Sequence, residues 1–209
     1  MNGWVERLLD GASRLGLELS GQQTEALINY LELLIKWNAR VNLVGPGGAE
    51  QWIERHLLDC LAVGPHVPAS CQRLLDVGAG AGLPSIPLSI LRPDVVVTAL
   101  EPIHKKTAFL AAVRRELMLE NLRPLTTRVE QHQGSPEFVR YDVAVSRAAF
   151  ALEEWFSMAR DLVSAGGLVL GMEGAVQATL PPGATRSPYS IGADRSRAII
   201  AWVPEPARA

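Results

Sequence analysis

The sequence predicts an α/β fold: a mostly parallel, doubly wound sheet over residues 66–209, with an N-terminal helical extension over residues 1–65. Three observations carry the prediction. From Arg73 onward, short β-rich runs alternate with helical stretches, the pattern of a parallel sheet covered on both faces. Ahead of Arg73 the apolar residues recur at helical spacing instead. The first β-rich run, RLLDV, passes directly into Gly78-Ala79-Gly80-Ala81-Gly82, and Pro84 sits where the first turn of a helix tolerates proline. A strand, a tight turn and a helix in that order begin a right-handed βαβ unit.

In chain order, Ser20 and Gln23 have capping-box spacing, and Leu27, Tyr30, Leu31, Leu34 and Trp37 follow at helical intervals, which marks a helix over about 21–38. The segment NARVNLVGPGG breaks that pattern with glycine and proline. Trp52, Ile53, His56, Leu57, Cys60 and Leu61 then resume a helical period. Strands are expected at 73–77, 95–100, 125–129, 141–146 and 167–172, with helices at 84–91, 104–118 and 151–164. After Gly174, LPPGATRSPYSIG reads as a turn-rich stretch before a last strand at 197–202.

With 209 residues the chain is long enough for one sizeable core and a small appendage. Its 48% hydrophobic and 20% charged residues are those of an ordinary folded protein and exclude a disordered one. The two cysteines, Cys60 and Cys71, have neither C-x-x-C spacing nor disulfide-scaffold density, so no metal site is expected and a reducing compartment is. The N-terminus mixes charges into its apolar residues, and no later apolar run approaches the roughly 18 residues of a membrane span. A cytoplasmic protein is expected. A formal net charge of −2 provides no global field for nucleic acid, so any RNA site must be a local patch.

The glycine turn needs its residue type because the chain must turn sharply and let a ligand lie against bare backbone near a helix N-terminus. A dinucleotide fingerprint runs G-x-G-x-x-G, whereas here Leu83 stands where the third glycine belongs, which argues against a pyrophosphate ligand. Glu101 ends the second strand about 20 residues on, where a carboxylate can accept both hydroxyls of an adenosine ribose. Asp76, in the first strand, is placed to attract the amino group of a methionyl moiety. Acidic residues around a turn without a phosphate-binding lysine suit a cationic sulfonium ligand, S-adenosyl-L-methionine (SAM).

On these residues the chain resembles the glucose-inhibited division protein B family, the ribosomal RNA small subunit methyltransferases G. The marks are KWNARVNLV (36–44), ERHLLDC (54–60), LLDVGAGAGLPSIPLSI (74–90), EPIHKKTAFL (101–110), RVE (128–130) and SRA (146–148). The resemblance implies a class I Rossmann-like SAM methyltransferase fold, and methyl transfer to N7 of a guanine in the 530 loop of 16S rRNA. It further implies 16S rRNA in the 30S ribosomal subunit or its precursor as the partner, and a monomer is expected. Gly78, Gly80 and Gly82 of the turn are the residues expected to hold the cofactor; carried over by motif, Gly78 and Leu83 contact it, Glu101 meets the ribose, and Val129 and Glu130 the adenine region. Arg147 meets the cofactor or the target guanine and is the candidate catalytic residue.

That chemistry suits a sparse site, because guanine N7 exposes a lone pair and carries no proton, so no general base is required. No N-P-P-Y segment follows the fourth strand, as an exocyclic-amine methyltransferase would show, and neither cysteine follows a proline as a C5-pyrimidine nucleophile would. Arg147 stands in that place, and the expectation is that Arg147→Ala abolishes transfer with little loss of stability. Glu173 stands where the family commonly has lysine, and a carboxylate facing RNA phosphates would repel them. Two readings are open for several other residues: His56 as core or RNA contact, Asp59 as its cap or pair, Asn38 and Asn42 as pocket lining or helix terminators, and Lys105, Lys106, Arg114 and Arg115 as solvated surface or phosphate patch. Trp37 and Trp52 are expected in the core. Alternative functions are a small-molecule SAM methyltransferase, a dinucleotide-dependent oxidoreductase and a non-catalytic SAM-binding assembly factor.

Overall fold

The computed structural model of the chain describes residues 2–192 and 194–205. Its N-terminal part is helical throughout: α1 (Asn2–Arg14), α2 (Gly21–Val41), then α3 (Ala49–Trp52), a π-helical segment (Ile53–Leu58) and α4 (Asp59–Leu61) in one continuous run. The capping box at α2 is present, with Ser20 Oγ accepting from the Gln23 amide at 3.2 Å and Gln23 Oε1 accepting from the Ser20 amide at 2.9 Å. No helix among the described residues is long and apolar enough to cross a membrane.

Seven strands follow: β1 (Arg73–Val77), β2 (Val96–Leu100), β3 (Leu122–Leu125), β4 (Tyr141–Ser146), β5 (Val163–Glu173), β6 (Thr185–Ile191) and β7 (Asp194–Trp202). Among the described residues they form one sheet in the order β3-β2-β1-β4-β5-β7-β6, in which β7 is antiparallel to both β5 and β6 and the other pairings are parallel. Helices α5 (Ser85–Leu91), α6 (His104–Glu116), α7 (Val129–Gln133) and α8 (Leu152–Ala159) connect them. This is the mostly parallel, doubly wound sheet that the alternation of strands and helices predicts.

Alternation along each strand divides the core. Leu74, Val97, Val143 and Ile199 face α2, α5 and α6, whereas Leu75, Leu100, Ala144 and Ile200 face α8, where Trp155 and Phe156 are buried. The helical extension therefore covers the same face as α5 and α6 and shares one continuous core with it.

Four elements depart from expectation. The third strand occupies Leu122–Leu125 instead of 125–129, and Val129 begins α7. Asn121 sets this register: its Nδ2 donates to the carbonyls of Ser89, Arg92 and Val95, which seats buried Leu122 beside β2. Pro124 is tolerated because β3 is an edge strand. Helix α8 stops at Ala159, and β5 starts at Val163, opposite Tyr141, ahead of a register shift in the β4–β5 pairing. The turn-rich stretch contains β6, whose Pro188 also sits on an edge.

Candidate active site

The strand order reverses at β1, between β2 and β4, and a ligand crevice opens beyond the carboxyl ends of such strands. A cavity of about 400 Å³ lies there, within the roughly 300–1,000 Å³ typical of ligand pockets. The glycine turn forms its floor. Gly78, Gly80 and Gly82 have φ of +76°, +58° and +86°, left-handed backbone that side chains rarely adopt. A Cβ on Gly78 would sit 2.5 Å from that of Ala149, so glycine is also what lets β1 and the loop after β4 close on each other. The Gly78 and Ala79 amides donate to the Leu100 carbonyl at 3.0 and 2.9 Å, tying the turn to the end of β2.

Glu101 is 4% exposed and lines the cavity. Its Oε2 accepts from the Gly80 amide and its Oε1 from the Ile103 amide, both at 2.9 Å. Two backbone donors thus fix the carboxylate while each oxygen keeps a further lone pair. Gly78, Gly80, Leu83, Val129, Glu130 and Arg147 also line the cavity, so the structure brings most of the sequence-derived set together.

Asp76 and Gly82 do not line it. Asp76 is fully buried, and its Oδ2 accepts from the Ser85 amide at 3.0 Å, bracing the start of α5. Burial pushes its carboxyl up to about 7 against the opposing effect of Ser85. A Cβ on Gly82 would run into Ile86 and lie 2.9 Å from Leu110, so that glycine serves helix–turn packing.

Arg147, at the end of β4, is held firmly. Its Nε donates to Asp59 Oδ2 at 2.8 Å, and its Nη2 donates to the Arg55 carbonyl at 2.8 Å and to His56 Nδ1 at 3.2 Å. Asp59 therefore pairs with Arg147 and does not cap His56, whose imidazole is pushed down to about 4 by burial and by the Arg147 charge. Arg147→Ala would remove one of two cations on Asp59, whose side chain is 4% exposed, but Arg197 stays paired with that carboxylate at 2.6 Å, so the expected cost in stability is that of the lost hydrogen bonds and not of a bare buried charge.

Other readings resolve as well. Glu173 does not face outward toward phosphate; it is 4% exposed, with Oε2 2.7 Å from Arg186 Nε and Oε1 accepting from Arg186 Nη2 and the Ala178 amide. Burial would raise its pKa, but these donors outweigh burial and lower it. Asn42 is the left-handed C-cap of α2, and Asn38 Oδ1 accepts from the amides of Leu43 and Val44, so both asparagines terminate the helix. That bend delivers Leu43 and Val44 to the cavity, a contribution that sequence reasoning missed because it depends on where α2 ends. Trp52 is buried, and Trp37 packs on Phe109 at 5.6 Å. Lys106 lines the cavity with Arg128, whereas Lys105, Arg114 and Arg115 are exposed away from that lining. The motifs EPIHKK and RVE contain Lys106 and Arg128, but motif matching alone assigned them no role.

Comparison with known proteins agrees with this geometry. Residues 23–183 match the family described as GidB, rRNA small subunit methyltransferase G. The ribosomal RNA small subunit methyltransferase G of Pseudomonas entomophila is 44% identical over 170 residues, covering 81% of this chain and 77% of that protein. Its namesake from Chromobacterium violaceum is 40% identical over 204 residues, 94% and 96% of the two chains. Among solved structures, the O-methyltransferase from Bacillus cereus in complex with SAH superposes with a TM-score of 0.57 at 16% identity, over 84% of this chain and 91% of that one, which shows a shared Rossmann-like methyltransferase fold. The chain that lays Gly78 and Gly80 against Glu101, on a sheet of this order, belongs to the ribosomal RNA small subunit methyltransferase G family.

Proposed function

We propose that the protein transfers the methyl group of SAM to N7 of a guanine in the 530 loop of 16S rRNA, acting as a cytoplasmic monomer on the 30S subunit or its precursor. The observation that carries the reading is the single cavity wall that joins an anchored carboxylate, Glu101, to a left-handed glycine turn and an arginine, Arg147. The relatives named for small-subunit rRNA methylation support it.

The residues present fit SAM. Glu101 offers acceptor lone pairs for ribose hydroxyls, the Gly78–Gly80 backbone lies bare toward the cavity, and Val129 and Leu100 give an apolar surface for a purine. No phosphate-binding lysine follows the turn. When bound, SAM supplies an electrophilic methyl group on a cationic sulfonium. The protein's task is then alignment and exclusion of water. Residues 66–209 form the cofactor-binding unit, and residues 1–65 act as the extension that completes its rim through Leu43 and Val44. Arg147 suits guanine O6 or a phosphate, which leaves N7 free to react. Lys106, Arg128 and Arg147 line the cavity together with Glu101 and Glu130, so in a chain whose net charge is −2 any RNA attraction rests on these few cations and not on a general positive field.

The test is transfer of labelled methyl from SAM to 30S subunits by the purified protein, with 7-methylguanosine mapped in 16S rRNA from cells with and without the gene. Incorporation at one guanine of the 530 loop, lost in the deletion strain, is expected. Labelling of metabolite pools but not of 30S subunits would replace this reading with a small-molecule methyltransferase.

A further inference from the structure

Asp59 is 3% exposed and joins three distant chain segments through one carboxylate. Its Oδ2 binds Arg147 Nε at 2.8 Å, and its Oδ1 accepts from the Tyr189 hydroxyl and from Arg197 Nη1, both at 2.6 Å. Tyr189 lies on β6 and Arg197 on β7, far along the chain from Asp59, and neither lines the cofactor cavity. Burial and the adjacent Asp59 carboxylate both raise the pKa of Tyr189, so its hydroxyl stays protonated as a donor. The π-helical segment immediately before Asp59 presents the Arg55 carbonyl and His56 to the same guanidinium. Such departures from α-helical winding recur at functional sites. Two Arg147 nitrogens are thereby tied to three residues of one helical run, and the carboxylate in that run is itself fixed by the C-terminal hairpin.

We propose that Asp59 is a positioning residue for methyl transfer: it fixes Arg147 at the cavity and, through its second oxygen, makes Tyr189 and Arg197 of the β6–β7 hairpin part of the catalytic apparatus. The proposal rests on the methyltransferase reading above. The hairpin acts at a distance, because Tyr189 and Arg197 set the orientation of Asp59, and Asp59 sets that of Arg147.

The test uses the full chain with Tyr189→Phe, Arg197→Gln and Asp59→Asn, each alone and combined with Arg147→Ala. Tyr189→Phe removes one hydroxyl and preserves shape, so it reports even where Asp59→Asn does not fold. The expected result is a kcat on 30S subunits lowered by about tenfold, the scale of one hydrogen bond to a charged group, with SAM affinity within about twofold of wild type. Arg147→Ala is itself expected to abolish transfer, so in that background the cycle is read on affinity for 30S subunits, where the same substitutions cause no further loss, as coupled residues require. A purely structural role would lower the Tm and leave kcat per folded molecule unchanged. Wild-type kcat in both hairpin variants, or an equal further loss without Arg147, overturns the proposal. A second readout does not depend on turnover: exchange of the Arg147 Nε–H, followed by NMR, should quicken in Asp59→Asn and Tyr189→Phe, and unchanged exchange also overturns it. If the wild type labels no 30S subunit, the functional reading falls, while this exchange still decides whether Asp59 holds Arg147.

Discussion

Gly80 and Gly82 share a left-handed backbone, and a methyl group distinguishes their tasks. Gly80→Ala meets nothing nearer than the Gly78 carbonyl at 3.9 Å, so its cost in stability is the backbone strain alone, about 1–2 kcal/mol. Gly80 lines the cavity, so SAM affinity should fall by more than the change in stability implies. Gly82→Ala drives a methyl into Ile86 and Leu110 and should lower the Tm further than Gly80→Ala does. Thermal melts with and without SAH separate the two; equal losses of affinity and stability at both positions would refute the assignment. Buried ionisable groups make a second prediction. His56 is held down at about 4, so an unfolded chain takes up a proton near pH 6.5 that the folded chain refuses, and this contribution to stability is lost as pH falls from about 6.5 to 4. Asp76 is held up at about 7, so its contribution is present below pH 3.8 and lost as pH rises towards 7. The slopes oppose one another. In the ligand-free protein, His56→Gln should make the Tm fall more steeply, or rise less, with increasing pH between 4 and 6.5 than in wild type, and Asp76→Asn should do the reverse.

At the scale of elements, α2 does two jobs. Its apolar face supplies Leu27, Leu31 and Leu34 to the core, and its Tyr30 hydroxyl donates to the Ala81 carbonyl of the glycine turn at 2.8 Å, fully buried. Tyr30→Phe strands that carbonyl at a cost of roughly 1–3 kcal/mol, and SAH affinity measured by calorimetry should drop with it because the helix braces the glycine turn proposed to hold the cofactor. Undiminished affinity would show that α2 merely covers the sheet. The clasp between β5 and β6 is electrostatic: Glu173 and Arg186 meet through two hydrogen bonds at 2.7 and 3.1 Å. Glu173→Lys places two cations together and should lower the Tm, whereas the swapped pair, Glu173→Arg with Arg186→Glu, should recover most of the loss. A Tm indifferent to both changes would mean that solvent already screens this pair.

For the whole molecule, the helical extension is a structural layer. Leu27, Tyr30, Leu31, Leu34, Leu57 and Leu61 are fully buried in the cluster that includes Leu74, Val97 and Val143 of the sheet. Exposing side chains worth about 1.5–3 kcal/mol each consumes a total stability of about 5–15 kcal/mol. A chain shortened to residues 72–209 should therefore aggregate or lack a cooperative melt by circular dichroism. A monodisperse, cooperatively melting fragment would instead make the extension dispensable to the fold.

The sequence by itself determined β1 and β4 to the residue, the start of α2, the glycine turn and the distance from that turn to Glu101, because each is written in neighbouring residues: a strand run, a cap, a backbone that only glycine adopts. It placed β3 too late and left β6 as a turn, because both are edge strands that carry proline and draw their pairing from a distant partner. Tertiary structure alone decided that Asp76 turns into the core, that Glu173 finds Arg186, and that Asp59 gathers Arg147, Tyr189 and Arg197. Those are facts about burial and charge compensation between distant segments. No local pattern specifies where a buried carboxylate will find its donors.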